Sequence, residues 1–427
     1  MEAKHLNSFD TLRAYADSVG VALETSDVSA LATPLLIEGK TAPNRLLIQP
    51  MEGGDAEEDG APSASGIRRY LRYASGGAGI IWMEATAILH ELKSHPRQLV
   101  LSGRTLDQFS RLIAQMRDTA RKSHGADPLI ILQMTHPGRS CYPLPRPASD
   151  RALWDSVKPS NGVKSATDDE IKGFAEVYAN VAALAKRAGF DGVEVKACHF
   201  YFISELLSAY ERPGVYGGGY ENRTRHLRES FAAVRAAAPE LILTIRLNAY
   251  DGLPYPYGFG MKEGGGFAPD LSEPIRLISE IKDDYGVELV NISSSGPNGS
   301  LFPDAQRLSP LFAPSSDSLI QGARMHYLAA HIKAAVPDAK IVATGFAHFR
   351  QYAPGIGSAM INNDQADLIG FGRQSFAYPD FAKDILTTGV MDESTLCLCC
   401  GGCGRLLGGK AKPIHCVVRD REYYNTL

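Results

Sequence analysis

Short apolar runs alternate with amphipathic stretches along most of this chain. Residues 45–49, 80–83, 129–132, 190–195, 241–247, 288–292, 341–343 and 368–370 are apolar enough for buried strands. Between them, residues 67–74, 106–122, 171–184, 221–238, 273–284 and 322–336 carry apolar positions at helical spacing. Thr167-Asp-Asp-Glu170 is a capping box that opens one of these helices. Residues 35–39 read as a hairpin strand that closes the barrel bottom. Leu6, Phe9, Leu12 and Tyr15 recur every three residues and predict a helix over 1–28. Eight strand candidates joined by helix-length crossovers predict an α/β fold, an eight-stranded (β/α)8 TIM barrel. The expected division is an N-terminal helical extension over 1–28, a barrel over 29–390 and a tail over 391–427. No Gly-x-Gly-x-x-Gly opens a helix after a strand, so a dinucleotide-binding sheet has no support.

In such a barrel, chemistry belongs at the C-terminal ends of the strands. The strand at 190–195 runs into Lys196, Cys198, His199 and Tyr201, titratable groups packed into six residues. The strand at 45–49 ends in Pro50-Met51-Glu52-Gly53-Gly54, where glycines let a planar ligand approach the backbone. Long loops at 138–165, 210–220, 249–268 and 295–320 are rich in Gly, Pro, Ser and aromatics and are expected to shape a pocket.

The tail holds the most specific pattern, Cys397-x2-Cys400-x2-Cys403-x12-Cys416, with Cys399 as an extra thiol. Three closely spaced thiolates can cap three irons of a cubane, and a distant fourth closes the coordination. Zinc is the competing reading, although its second Cys-x-x-Cys knuckle is missing. Five of the seven cysteines lie in this tail, which in a reducing compartment favours metal over disulfides.

Composition changes the picture only by exclusion. The net charge of −4 argues against nucleic acid or an anionic membrane as the main partner. No run of eighteen apolar residues exists, and the N-terminus has no apolar signal segment, so a cytoplasmic protein is expected. A homo-oligomer is left open.

The ordered set of motifs resembles the old yellow enzyme family. It matches the iron–sulfur branch that includes 2,4-dienoyl-CoA reductase and trimethylamine dehydrogenase. The matching pieces are Asn44-Arg45 through Pro50-Met51, the strand from Gly76-Gly77-Ala78-Gly79 to Glu84-Ala85-Thr86, and Gln133 with His136-Pro-Gly-Arg139. They continue with Asp191-Gly-Val-Glu194 through His199 and Tyr201, Tyr216-Gly217-Gly218 with Glu221-Asn222-Arg223, Arg246, Thr344-Gly345 and Gly372-Arg373. The set covers residues 30 to 420, roughly the whole barrel and tail.

The resemblance implies FMN at the barrel mouth and a [4Fe-4S] cluster on Cys397, Cys400, Cys403 and Cys416. It implies that Pro50, Met51 and Ala85 offer backbone to the flavin ring, with Glu52 at its edge. Gln133 would bond the pyrimidine edge, and Arg246 would face the N1/C2 carbonyl region. Thr344, Gly345, Phe346, Gly372 and Arg373 would hold the phosphate. Tyr201 matches the family's proton donor, and Lys196 and His199 stand at its substrate-polarising positions. Lys196 and Glu52 depart from the usual residues there.

The implied activity is reduction of an activated, carbonyl- or carboxyl-conjugated C=C bond in a small unsaturated substrate. Rival readings are an amine dehydrogenase or demethylase, an electron-transfer flavoprotein subunit, and a non-catalytic flavin scaffold. The branch normally continues into FAD- and nucleotide-binding domains, for which no segment remains before Leu427. The expected electron donor is therefore NAD(P)H acting directly, or a ferredoxin or flavodoxin-like protein acting through the cluster.

Overall fold

The computed structural model describes residues 8–150, 159–295, 311–312, 317–409 and 413–420. An antiparallel hairpin comes first, β1 (Leu35–Ile37) with β2 (Lys40–Ala42). The centre of the molecule is a closed barrel of eight parallel strands. They are β3 (Leu46–Ile48), β4 (Ile80–Ala87), β5 (Leu129–Thr135), β6 (Gly192–Ala197), β7 (Ile242–Tyr250), β8 (Leu289–Ser294), β9 (Lys340–Ala343) and β10 (Leu368–Phe371). Each pairs with the next in sequence, and β10 closes on β3 through Ile369–Leu46 to Phe371–Ile48. All eight expected strands are present, and the expected barrel is the one formed.

The helices are α1 (Phe9–Ser18), α2 (Ala64–Ser75), α3 (Leu106–His124), α4 (Asp168–Ala188), α5 (Phe202–Leu207) and α6 (Tyr220–Ala237). After them come α7 (Ser272–Tyr285), α8 (Ser318–Ala335), α9 (Ala353–Asn362), α10 (Arg373–Ala377), α11 (Phe381–Thr388) and α12 (Gly402–Gly409). The capping box forms as expected: Thr167 and Glu170 bond each other's backbone at the start of α4. The helix expected over 1–28 is shorter. It ends at Ser18, because Gly20 takes a left-handed conformation (φ 75°) that stops the turn. Residues 1–7 of that expectation, most of the 295–320 loop and part of the 138–165 loop lie outside the described residues.

The hairpin packs across one end of the barrel. Its Leu35, Ile37 and Ala42 form one apolar cluster with Leu47, Ile80, Trp82, Ile131, Ile242 and Leu289 from the barrel strands. That plug shuts the N-terminal end. Side chains alternate across a strand, so the inward set of each strand can be followed upward. On β6, Val193, Val195 and Ala197 pack outward into the main core, and Glu194 and Lys196 alternate with them. The same parity on β5, β7 and β8 selects Gln133, Thr244, Arg246, Asn291 and Ser293. The barrel interior is thus apolar at its closed end and polar toward its mouth.

Candidate functional site

The mouth begins with a buried polar layer. Gln133 Nε2 donates to Glu194 Oε1 at 2.7 Å. Gln49 and Asn291 exchange amide hydrogen bonds at 3.1 and 2.8 Å. Burial pushes the Glu194 carboxyl up to about 7, and the nearby Arg246 guanidinium opposes that rise. Arg246 is itself buried and lies beside Lys196 in strand register. Its Nε is a buried donor with no protein partner. A buried donor without a partner costs free energy, so such an atom points to a ligand acceptor.

Above this layer sit the residues that follow β6. His199 and Phe200 both take left-handed backbone (φ 63° and 56°), an uncommon conformation for residues with bulky side chains. Two such residues in succession turn the chain sharply, and Tyr201 stands at the N-cap of α5 directly after them. The Tyr201 hydroxyl donates to Glu52 Oε1 at 3.2 Å. Lys196 Nζ lies 3.9 Å from the same oxygen and 3.9 Å from the centre of the Tyr201 ring. The Ser94 side chain is a further partner of the phenol. Burial, and then the Glu52 carboxylate, hold the Tyr201 hydroxyl well above the ordinary phenol range. Burial pulls the Lys196 ammonium down, and Glu52 opposes that pull. The His199 ring meets the Ser293 hydroxyl at 3.3 Å, at the end of β8. The structure thus brings Lys196, His199, Tyr201 and Glu52 to one mouth. Cys198, in contrast, is fully buried, and burial raises its thiol to about 11.

A second network, which sequence reasoning missed, fixes the loop that carries Glu52. Arg69 on α2 bonds Asp55 at 2.6 and 3.1 Å and Glu84 at 2.6 Å, all three buried. Glu84 then accepts the Gly53 amide at 2.5 Å. The guanidinium passes so close to Gly53 that a Cβ there would sit 2.1 Å from Nη2. Removing Arg69 would leave two carboxylates buried without their cation. Arg69→Met is therefore expected to destabilise the fold by about 3–5 kcal/mol, read by denaturant unfolding of the purified protein. A loss under about 1 kcal/mol would show that the network is not what holds this loop.

The remaining candidates divide. The Met51 side chain packs over Gly372, its sulfur 3.0 Å from where a Cβ would stand. Ala85 lies at a register shift between β4 and β5, and its carbonyl is taken by Gln98 Nε2 at 2.9 Å. Pro50 is buried beside them. Thr344 reaches back to the Gly370 carbonyl at 3.4 Å. Gly345 opens a short 3-10 helix, Phe346–Tyr352. The Phe346 ring is fully buried against His326 and Phe371, so only its backbone is available to a ligand. Arg373 pairs with His348 at 3.0 Å. His136 and Arg139 shape a loop: the imidazole stacks on Phe202 at 4.1 Å, and Arg139 forms a buried pair with Glu205 at 2.8 Å.

The tail docks against this same end. Cys397, Cys399, Cys400, Cys403 and Cys416 line one cavity together with Arg373. The Cys397 amide donates to Gln374 Oε1 at 3.0 Å, and the Cys399 thiol reaches the Ala347 carbonyl at 3.5 Å. Backbone amides of Cys399 and Arg419 point at the sulfurs of Cys397 and Cys416, each at 3.4 Å. The Ile414 amide donates to the Gly53 carbonyl at 2.7 Å. His415 bonds Ser65 at 3.0 Å and Asp420 at 3.2 Å. Among the described residues, no three His, Cys, Asp or Glu side chains are grouped so as to hold a single metal ion.

Residues 30–294 match a known family, described as the NADH:flavin oxidoreductase / NADH oxidase family. The chain belongs to that family. An NADPH dehydrogenase of Geobacillus sp. (strain WCH70) is 31% identical over 286 residues, which cover 66% of this chain and 76% of that protein. Among solved structures, morphinone reductase in complex with tetrahydroNAD superposes with a TM-score of 0.63 at 22% identity, covering 86% of this chain and 94% of that one. A 2-naphthoyl-CoA reductase complexed with 2-naphthoyl-CoA superposes with a TM-score of 0.69 at 20% identity. It covers 84% of this chain but only 52% of its own, so the chain spans about half that protein's length. At these identities the solved structures speak for the barrel, and the family match makes this chain an FMN-dependent oxidoreductase. No helix among the described residues is long and apolar enough to cross a membrane.

Proposed function

We propose that this flavin oxidoreductase reduces an activated C=C bond conjugated to a carbonyl or carboxyl group. The observation that carries this reading is Tyr201, a phenol kept protonated at the C-terminal end of the barrel beside Lys196 and His199. FMN, when bound, supplies a hydride to one carbon of the double bond. The protein must then bind the substrate's carbonyl oxygen and deliver a proton to the other carbon. Tyr201 is suited to the second task, because burial and Glu52 both favour its protonated form. Lys196 and His199 are suited to the first, and a buried ammonium favours a substrate with negative charge.

The residues present fit FMN. The unpartnered Arg246 Nε suits an acceptor that gains negative charge, and Gln133 stands fixed beside it by Glu194. Backbone after β9 and β10, at Thr344-Gly345-Phe346 and Gly372-Arg373, suits the phosphate. The purified protein is expected to be yellow and to release FMN on denaturation, read by chromatography of the supernatant. FAD or no flavin in folded protein would sink the assignment.

The cysteine cavity fits a [4Fe-4S] cluster on Cys397, Cys400, Cys403 and Cys416. Its thiols line a shared cavity, and a spacing without a second Cys-x-x-Cys knuckle suits a cubane better than zinc. Amide hydrogen bonds to Cys397 and Cys416 are of the kind that tune such a cluster. Contacts of the cysteine loop with Ala347 and Gln374 support a position beside the proposed phosphate loops. The cluster would relay single electrons between FMN and a ferredoxin or flavodoxin-like donor, with NAD(P)H as the direct alternative.

A further inference from the structure

We propose that Glu52 resupplies Tyr201 with protons, carrying them from solvent to the phenol after each turnover. This rests on Tyr201 being the proton donor. One carboxylate oxygen, Glu52 Oε1, meets the Tyr201 hydroxyl at 3.2 Å and lies 3.9 Å from Lys196 Nζ. The Glu52 side chain is 12% exposed and that of Lys196 only 3%, so Glu52 is the member of this pair that water reaches. The carboxylate also stands on a rigid base. The next residue, Gly53, is tied through its amide to buried Glu84 and through its carbonyl to Ile414.

The proton count requires that the phenol be reprotonated, and Glu52 is the carboxylate in hydrogen-bond contact with it. In the first step the Tyr201 O–H bond breaks and a C–H bond forms on the substrate, leaving tyrosinate. A tyrosinate beside the Glu52 carboxylate is costly, and the Lys196 ammonium over its ring stabilises it only while it lasts. In the second step the Glu52 carboxylate takes a proton from bulk water. In the third the carboxylic O–H bond breaks, the phenolic O–H bond re-forms, and Glu52 returns to its ionised state. One solvent proton is consumed per turnover. Glu52 thus acts through Tyr201 and is a positioning and relay residue.

Glu52→Gln preserves the shape and an acceptor for the Tyr201 hydroxyl but cannot carry a proton. On the FMN-loaded enzyme, pre-reduced protein is mixed with cyclohex-2-enone and followed by stopped flow. The first turnover of Glu52→Gln is expected to fall less than its steady state, which should be about 10²-fold below the parent's. Tyrosinate absorbance in the near ultraviolet should build up after the first turnover, and formate should restore cycling in Glu52→Ala. A Glu52→Gln enzyme that cycles at the parental rate without tyrosinate overturns the relay. So does one whose first turnover falls as far as its steady state. If Glu52→Gln does not hold FMN, Glu52→Asp replaces it and should keep turnover within about tenfold of the parent; a full loss with Asp overturns the relay. Tyr201→Phe separates the two ideas. If its first turnover is unchanged, the donor assignment itself falls. If that turnover is slow while Glu52→Gln cycles normally, only the relay falls.

Discussion

Tyr201→Phe is expected to slow reoxidation of the reduced flavin by an enone about 10²–10⁴-fold, the usual range for a positioned general acid. Flavin binding and flavin reduction should survive. The ring is retained, so the Lys196 ammonium keeps its aromatic face. What is lost is one O–H group and its contacts with Glu52 and Ser94. The two half-reactions, measured separately by stopped flow, distinguish this from a general loss of structure. Damage to the fold would slow both, whereas loss of the proton slows only the oxidative one. An unchanged oxidative half-reaction would move the donor role to His199 or to water.

Much of this site is legible in the sequence because strands impose a period of two. Once 190–195 is read as a strand, Glu194 and Lys196 must share a face. Gln133 and Arg246, which the resemblance implied, share that parity on their own strands, and so does Asn291, which the sequence did not single out. The cysteine spacing is equally direct, since ligand spacing is local. The Arg69 network is not legible, for the opposite reason. Arg68, Arg69 and Arg72 on α2 look alike in sequence, but only Arg69 turns inward to Asp55 and Glu84. Arg68 and Arg72 instead bind Asp420, far along the chain in the tail. Nor does local pattern reveal that Ile414 bonds Gly53, because that contact depends on how the tail folds back. The N-terminal apolar pattern overextends its helix, because threefold spacing hides the stop at Gly20.

Cys403→Ser should abolish the broad visible absorption of a [4Fe-4S] cluster and lower bound iron and sulfide, while most of the yellow flavin spectrum survives. The reason lies in how the tail is attached. Cys403 lies in α12. The anchors to the barrel are elsewhere: Cys397 on Gln374, Cys399 on Ala347, Ile414 on Gly53, and Asp420 on Arg68 and Arg72. Losing one thiolate therefore removes a proposed cluster ligand without cutting those ties. If the cluster is the electron path, turnover with reduced viologen or ferredoxin should fall to background in Cys403→Ser. Turnover with NAD(P)H should persist if that donor reaches FMN directly. A variant that loses iron yet keeps normal viologen-driven turnover would make the cluster structural. A parent protein that binds zinc in place of iron would remove the wire altogether. Then Arg373, which lines the cysteine cavity beside the proposed phosphate loop, would be a packing contact and no part of an electron path.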